Sequence, residues 1–264
     1  MTVLEAVILG VLQGATEFLP VSSSGHLAVM RTLMDLGDVP ILFDVLLHVA
    51  TLVVVVAVFW ERIWHILRSL ARWIARRADD QDQPHLRAAL IILVATLLTG
   101  VLGVALNSFE FAGRPKVVSA LFLVTAAILI ASRFFRGERS YKELSFKDAF
   151  VVGIAQGFGA LPGISRSGIS IAASRASGLS REEAGEFAFL ISVPAVIGAL
   201  LLTIGDADQL SAVVSPAGLV LGFLAALLVG LVCLLLLLKL VRSGRLYLFA
   251  IYLVPLGIAG ILFL

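Results

Sequence analysis

Long apolar runs, separated by shorter polar segments, dominate this chain of 264 residues. A helix that crosses the hydrocarbon core of a bilayer needs about 20 mostly apolar residues. Six runs approach or meet that length. The pattern therefore predicts six transmembrane helices, over residues 41–60, 88–106, 117–132, 187–204, 217–238 and 246–264.

Two further segments are apolar but too short and too polar to be comfortable spans. The first contains Glu17 and breaks at Pro20, and the second breaks at Pro162 and Gly163. Non-helical backbone at membrane depth is tolerated only where it lines a cavity that protein or water encloses. We therefore interpret each segment as a re-entrant helix-turn-helix hairpin, with its tip near the middle of the membrane.

The two hairpins share one motif at a fixed offset, as residues 10–25 and 153–168. The matched positions are Gly10, Gln13, Gly14, Ser22, Ser24 and Gly25 with Gly153, Gln156, Gly157, Ser165, Ser167 and Gly168. Each copy precedes three predicted spans, and an odd number of spans inverts the second copy in the membrane. The sequence thus predicts an all-α polytopic membrane protein, a single domain over 1–264 built as an inverted repeat of residues 1–134 and 144–264.

Composition agrees with a membrane protein. The chain is 60% hydrophobic and 14% charged, with a mean hydropathy of +1.05, which excludes an ordinary soluble domain. A net charge of +2 gives no support to nucleic-acid binding. Cationic residues crowd the first, third and fifth connections, whereas the second has only Arg114 and Lys116 and the fourth has none. The positive-inside rule then predicts that both chain ends and the first hairpin face the outer side.

Polar residues at the two hairpin turns indicate an anion site. Ser22, Ser23 or Ser24 can cap the helix that follows Pro20, and His26 falls in its first turn. Ser165 and Ser167 match them in the second hairpin, where Arg166 replaces Ser23. Helix N-termini bind anions, and the planar fork of an arginine suits phosphate. The candidate phosphate-binding residues are Ser22, Ser24, Gly25, Ser165, Ser167, Gly168 and Ser170.

Acidic and imidazole groups add chemistry to this predicted anion site. Gln13 and Glu17 are four residues apart and share one helical face. Glu17 would repel an anion unless a divalent cation, Mg²⁺ or Ca²⁺, bridges the two. Carboxylate, hydroxyl, imidazole, guanidinium and metal together indicate phosphoryl transfer. Further polar residues are candidates for a supporting shell: Asp44, His48 and Glu186, which lie within or at the edge of spans, and Gln156 of the second hairpin.

The longest motifs resemble a known family. Gln13-Gly-Ala-Thr-Glu-Phe-Leu-Pro-Val-Ser-Ser-Ser-Gly-His26 and Pro162-Gly-Ile-Ser-Arg-Ser-Gly-Ile-Ser170 are similar to the two signature motifs of the bacterial undecaprenyl-diphosphate phosphatase (bacitracin-resistance) family. The resemblance extends through Phe43-Asp-Val-Leu-Leu-His48 to the whole length. It implies removal of the terminal phosphate from a C55 polyprenyl diphosphate, with a divalent metal, in the bacterial plasma membrane. Recycling of a cell-wall lipid carrier would follow.

The resemblance also implies roles for individual residues. The family's acidic pair, which holds the metal, falls on Gln13 and Glu17, its serine nucleophile on Ser23, and its histidine and arginine on His26 and Arg166. We expect His26 to act as the base, and Ser23 either to attack phosphorus or to orient a water. Gln13 departs from the glutamate that many members carry, which shifts more of the metal binding to Glu17.

An alternative function remains open at this point. Inverted repeats with broken hairpins at the midplane are typical of transporters, so the same site could serve a flippase for the lipid monophosphate. The two functions are compatible if one site performs both. The sequence also leaves open the length of the isoprenoid chain and the oligomeric state, with a homodimer as one candidate.

Overall fold

The computed structural model describes residues 1–107 and 111–264, and in those ranges the regular structure is helical, without a strand. The all-α prediction is therefore confirmed. In the described residues, four short 3₁₀ turns and one isolated bridge accompany twelve α-helices. They are α1 Val3–Phe18, α2 Ser23–Leu33, α3 Ile41–Val58, α4 Trp60–Ile74, α5 Gln83–Asn107, α6 Pro115–Ser132, α7 Phe146–Phe158, α8 Arg166–Ala176, α9 Arg181–Thr203, α10 Ala207–Val213, α11 Pro216–Arg242 and α12 Ala250–Phe263.

Within the described ranges, six helical segments are long and apolar enough to cross a membrane, which confirms the six predicted spans. Large apolar side chains stand exposed along their outer faces, as Leu202 and Phe263 do. Such surface suits lipid contact and would be unusual on a protein surrounded by water. The segments are Ile41–Val58, Gln83–Leu106, Pro115–Ser132, Arg181–Val213, Pro216–Arg242 and Leu246–Phe263.

The two predicted hairpins appear as the helix pairs α1–α2 and α7–α8. A capping box begins each pair: Thr2 with Glu5 at the start of α1, and Ser145 with Asp148 at the start of α7. Pro20 lies in the turn between the first two helices, and Pro162 lies in the turn between the second two. The re-entrant path of these hairpins through a membrane stays a prediction.

Each hairpin packs on a helix from the other half of the chain. α1 packs most extensively against α11, and α7 packs against α5. α6 also packs against α12, and α3 packs against α9. The α1–α11 pair therefore corresponds to the α7–α5 pair when the two halves are exchanged. The division into residues 1–134 and 144–264 as inverted repeats remains a prediction.

Glycines allow the close approach of α1 and α11. A Cβ atom built on Gly10 would lie 2.2 Å from the Gly222 carbonyl oxygen, and one on Gly14 would lie 2.5 Å from the Ala226 carbonyl oxygen. A Cβ on Gly153 of α7 would likewise meet the Ala95 backbone of α5 at 2.8 Å. Small residues bring helix backbones into contact where lipid gives no hydrophobic driving force. These contacts fix the position of both hairpins.

Helix α4 was not predicted, because the sequence there indicated only a cationic connection. Its apolar residues Trp60, Trp64 and Leu67 are exposed and recur at helical spacing along one face. The Trp60 and Trp64 rings stack with their centroids 5.9 Å apart. This combination of aromatic and basic faces is typical of a helix that lies in the membrane interface.

Candidate active site

The turns of the two hairpins meet at Ser22. Ser22 is the N-cap of α2, and its hydroxyl accepts hydrogen bonds from the Gly25 N–H at 3.3 Å and the Gly163 N–H at 2.9 Å. Its backbone φ is +71°, in the left-handed region that non-glycine residues seldom occupy. Such conformations persist only where surrounding contacts hold them, and they cluster at functional sites.

The second turn has a matching set of contacts. The Ser165 hydroxyl caps α8 by accepting the Gly168 N–H at 3.0 Å, and the Ser167 hydroxyl donates to the Phe18 carbonyl at 3.2 Å. Thr125 of α6 donates to the Gly163 carbonyl at 2.8 Å and accepts the Ser165 N–H at 3.1 Å. Thr125 was not predicted as a site residue, although a hydroxyl within an apolar run was a signal. The N-termini of α2 and α8 thus face one region.

Glu17 is the centre of the polar cluster. Its Oε2 accepts hydrogen bonds from the Ser23 hydroxyl at 2.6 Å and from the Gln13 Nε2 at 3.0 Å. The spacing of four residues on α1 brings Gln13 and Glu17 together, and the turn at Pro20 returns Ser23 to the same place. A carboxylate within hydrogen-bond distance of a hydroxyl is the arrangement of a nucleophile and its base.

His48 contacts Glu17 from α3. Its Nε2 lies 3.2 Å from the Glu17 Oε2, although without hydrogen-bond geometry. Its Nδ1 lies 2.8 Å from the Asp44 carbonyl oxygen. Because that oxygen can only accept, Nδ1 carries a proton and the ring orientation is fixed. The sequence placed His48 only in a supporting shell, whereas the structure places it against the central carboxylate.

Arg166 occupies the first position of α8 and faces Glu17 from the second hairpin. Both residues line two adjoining cavities. Among the described residues, the Arg166 guanidinium has no hydrogen-bond or ion-pair partner, so its donors are available to an anion. The smaller cavity is lined by the capping serines Ser22 and Ser165 with Ser23 and Ser24. The larger one has apolar walls formed by Phe18, Leu52, Val55, Phe189 and Val196.

The residues around Glu17 fit a hard divalent cation that the substrate helps to hold. No group of three or more His, Cys, Asp or Glu residues able to hold a metal occurs in the described part of the chain. The buried Gln13 Oε1 has no hydrogen-bond partner, and it stands one helical turn from Glu17. Mg²⁺ commonly binds through one or two protein oxygens and completes its shell with phosphates and water. Gln13 and Glu17 could supply those protein oxygens.

His26 does not join this cluster. Its Nδ1 lies 2.7 Å from the Ser22 carbonyl oxygen, and its Nε2 lies 2.8 Å from the Tyr252 hydroxyl of α12. The ring packs between Phe122 and Tyr252. Both nitrogens are therefore engaged, and Glu17, not His26, contacts the Ser23 hydroxyl.

The other predicted residues take separate positions. Asp44 forms an ion pair with Arg31, and Glu186 forms one with Arg62. Both carboxylates are thereby tied to neighbouring helices. Gln156 does line the larger cavity, and its Oε1 accepts the Ser170 hydroxyl at 3.3 Å.

The two remaining predicted glycines, Gly25 and Gly168, serve the close approach of the turns. A Cβ on Gly25 would lie 2.8 Å from the Gly163 nitrogen and 2.7 Å from a Phe122 ring carbon. A Cβ on Gly168 would lie 3.1 Å from the Pro20 Cβ. Larger residues at these positions would separate the two helix N-termini.

Comparison with known proteins gives a consistent result along the chain. A family described as bacitracin resistance protein BacA matches residues 6–259. The chain is 45% identical over 258 residues to the undecaprenyl-diphosphatase of Treponema denticola, covering 98% of this chain and 96% of that protein. It is 38% identical to proteins of the same name from Methanosphaera stadtmanae and Korarchaeum cryptofilum, again over at least 98% of both chains.

Proposed function

The chain belongs to the bacitracin resistance protein BacA family, and from that premise we propose that it is a membrane-embedded undecaprenyl-diphosphatase. It removes the terminal phosphate of undecaprenyl diphosphate and releases undecaprenyl phosphate and inorganic phosphate. One observation in this chain's own residues supports this function. The Ser23 hydroxyl donates to Glu17 at 2.6 Å beside Arg166, whose guanidinium has no partner among the described residues.

The chemistry begins at Ser23. Glu17 accepts the Ser23 proton while the Ser23 oxygen attacks the terminal phosphorus. The new Oγ–P bond forms as the bond from phosphorus to the bridging oxygen breaks, and undecaprenyl phosphate leaves. A water then displaces the phosphoryl group from Ser23, and Glu17 returns the proton to the serine oxygen. His48 lies beside the Glu17 carboxylate from α3.

Arg166 and the two helix N-termini bind the transferring phosphoryl group. The guanidinium can donate two parallel hydrogen bonds to phosphate oxygens. Preorganised donors of this kind stabilise the charge that develops in the transition state. The apolar walls at Phe18 and Phe189 suit the first isoprene units of the lipid.

A divalent cation is part of the proposal. Glu17 and Gln13 would hold Mg²⁺ or Ca²⁺ together with the diphosphate. When bound, the cation neutralises phosphate charge and acts as a Lewis acid. Because Gln13 carries no charge, Glu17 supplies the only carboxylate for this purpose in the first motif.

The test is phosphate release by the purified protein in detergent, which abolishes transport but leaves hydrolysis intact. We expect turnover in wild type, loss of about 100-fold or more in Glu17→Gln and Ser23→Ala, and loss in excess EDTA. Glu5→Gln, on the same helix but outside the cavity, is the matched control. Lack of phosphate release by the wild-type protein would contradict the phosphatase function and favour the flippase. Full activity in excess EDTA would show that hydrolysis needs no divalent cation.

We place the protein in the bacterial plasma membrane with its site open to the outer side, which suits recycling of a lipid carrier. This orientation is supported by the distribution of Lys and Arg among the connections and not by the packing of the helices. Impermeant thiol labelling in a Cys233→Ser background tests it with two exposed positions. Asp38→Cys should react from outside and Asp80→Cys only after permeabilisation. The reverse result would invert the topology.

A further inference from the structure

A second cavity, separate from the one around Glu17, lies where α6, α8 and α11 end and α9 begins. Helix α8 runs between the two cavities. Arg166 begins that helix at the Glu17 cavity, and Arg175 at the second cavity lies nine residues later, about 13.5 Å along the helix axis at 1.5 Å per residue. The cavity lies on the side that the loop charges predict to be cytoplasmic. Its lining residues include Ser132 and Arg133 after α6, Arg175 on α8, Arg181 on α9, and Val241 and Gly244 at the end of α11.

The charge of this cavity is one-sided. Three arginines line it, and no carboxylate does so in the described part of the chain. Nearby cations are already neutralised, since Arg242 pairs with Glu182 at 2.5 Å and Arg139 pairs with Asp148 at 2.9 Å. Neither Arg133 nor Arg181 forms an ion pair with any described residue.

Arg175 is the buried member of the group, with 8% of its surface exposed. Its guanidinium donates to the carbonyls of Gly137 at 3.0 Å and Phe135 at 2.7 Å, and also to that of Leu179. These neutral acceptors satisfy its hydrogen bonds but do not cancel its charge. A buried charge is almost never left without a counter-charge.

Arg181 is held in position by the end of α11. Gly244 follows that helix with a φ of +70°, and a Cβ built on it would lie 2.7 Å from the Arg181 Cζ. The guanidinium therefore rests directly on the backbone at Gly244. Arg133 is oriented separately, with its Cζ 5.0 Å from the centre of the Tyr247 ring. Two exposed guanidinium groups are thus placed at the mouth of a positively charged cavity.

We propose that this cavity binds a phosphate group, carried by the headgroup of an anionic phospholipid or by free inorganic phosphate. Arg133 and Arg181 present their planar forks to the phosphate oxygens, because guanidinium matches that geometry. Arg175 supplies positive charge from behind and holds the surrounding loops. Neither Glu17 nor Ser23 lines this cavity, so phosphate binding here is independent of the phosphatase activity.

Thermal unfolding of the full chain in detergent tests the proposal, because a ligand that binds the folded state raises the melting temperature. All proteins carry Arg166→Gln, so that phosphate in the catalytic cavity does not contribute. Phosphatidylglycerol, phosphatidylcholine and inorganic phosphate are titrated separately. Arg133→Gln/Arg181→Gln is compared with Arg136→Gln/Arg245→Gln, which removes the same charge from two exposed arginines that do not line the cavity.

We expect phosphatidylglycerol, inorganic phosphate or both to stabilise the parent and the control variant. Arg133→Gln/Arg181→Gln should need at least about tenfold more ligand for the same shift, the scale for losing a charge-assisted contact. A response to phosphatidylglycerol alone identifies a lipid headgroup, and a response to inorganic phosphate identifies a free anion. Equal shifts in both double variants, equal shifts with phosphatidylcholine, or no shift in the parent would overturn the proposal.

Discussion

The Ser22 hydroxyl accepts the N–H of Gly163, a residue 141 positions away in sequence, at 2.9 Å and so joins the turns of the two hairpins. The same oxygen caps α2 through the Gly25 N–H. Ser22 is held at a φ of +71°, and such conformations cost of order 1–3 kcal/mol. The hydrogen bonds of one side chain therefore stabilise both the local turn and the junction between the halves of the chain.

Replacing Ser22 by alanine should lower stability by about 1–3 kcal/mol, because it leaves the buried Gly163 N–H without its acceptor. The measurement is thermal or denaturant unfolding in detergent. Ser24→Ala, in the same turn, is the control and should change stability much less. If the two variants unfold alike, the Ser22 contact does not join the hairpins in the way described.

Substitutions of His48 test whether a polar group must lie beside Glu17 or whether a side chain of similar size is enough. His48→Leu removes the polar contact with Glu17 and should reduce kcat about 10- to 100-fold, the range for residues that orient a catalytic or ligating group. His48→Gln keeps a polar group beside Glu17 and should restore most of the activity. His65→Leu on α4 is the control for loss of an imidazole. Equal loss in the Gln and Leu variants would show that a polar group at this position is not what matters.

Arg166 should tolerate no substitution, not even by lysine. An ammonium group is a point charge and cannot reproduce two parallel hydrogen bonds to phosphate. We expect Arg166→Lys and Arg166→Ala both to lose about 100-fold or more in kcat, the scale for removing one preorganised stabiliser. Arg136→Lys serves as the control. A lysine variant near wild-type activity would mean that Arg166 contributes only a diffuse positive charge.

The pair of Asp148 and Arg139 predicts how stability depends on pH. Burial acts to raise the pKa of Asp148, but hydrogen bonds from Arg139 and Ser145 outweigh it and leave the pKa below its ordinary value. Because the folded pKa is lowered, the pair stabilises the fold above the ordinary pKa of aspartate, and this contribution is lost as pH falls through the folded value. Asp148→Asn should therefore be less stable than wild type at neutral pH, and the difference should shrink in acid. A difference that does not vary with pH would contradict this.

Hydropathy was sufficient to predict the spans but not their true starts. Residues 187–204 were predicted, whereas α9 begins at Arg181, where Ser180 caps the helix by accepting the Glu183 N–H at 3.3 Å. The first turn of a helix such as α9 is polar, so it lies outside the apolar run and hydropathy does not detect it. Helix α4 was missed for the same reason. Its apolar residues recur at helical spacing, but the basic residues between them lower the mean hydropathy of the segment.

The site was predictable to the extent that its contacts are local. The Gln13 and Glu17 pair follows from helical spacing, and the capping roles of Ser22 and Ser165 follow from residue type next to a turn. The contact of His48 with Glu17 joins α1 to α3, and no short-range pattern specifies it. His26 stands beside the predicted nucleophile in sequence, yet the ring is held by Tyr252 from the last helix.

The glycine contact between α1 and α11 has a consequence for biosynthesis. The ribosome completes the first hairpin at Leu33 but finishes α11 only at Arg242. At 5–20 residues per second, the interval is on the order of 10 to 40 seconds. Throughout that time the nascent hairpin, with its carboxylate and serines, lacks the partner against which Gly10 and Gly14 will pack. The insertion machinery must therefore shelter this segment from lipid until most of the chain has been translated.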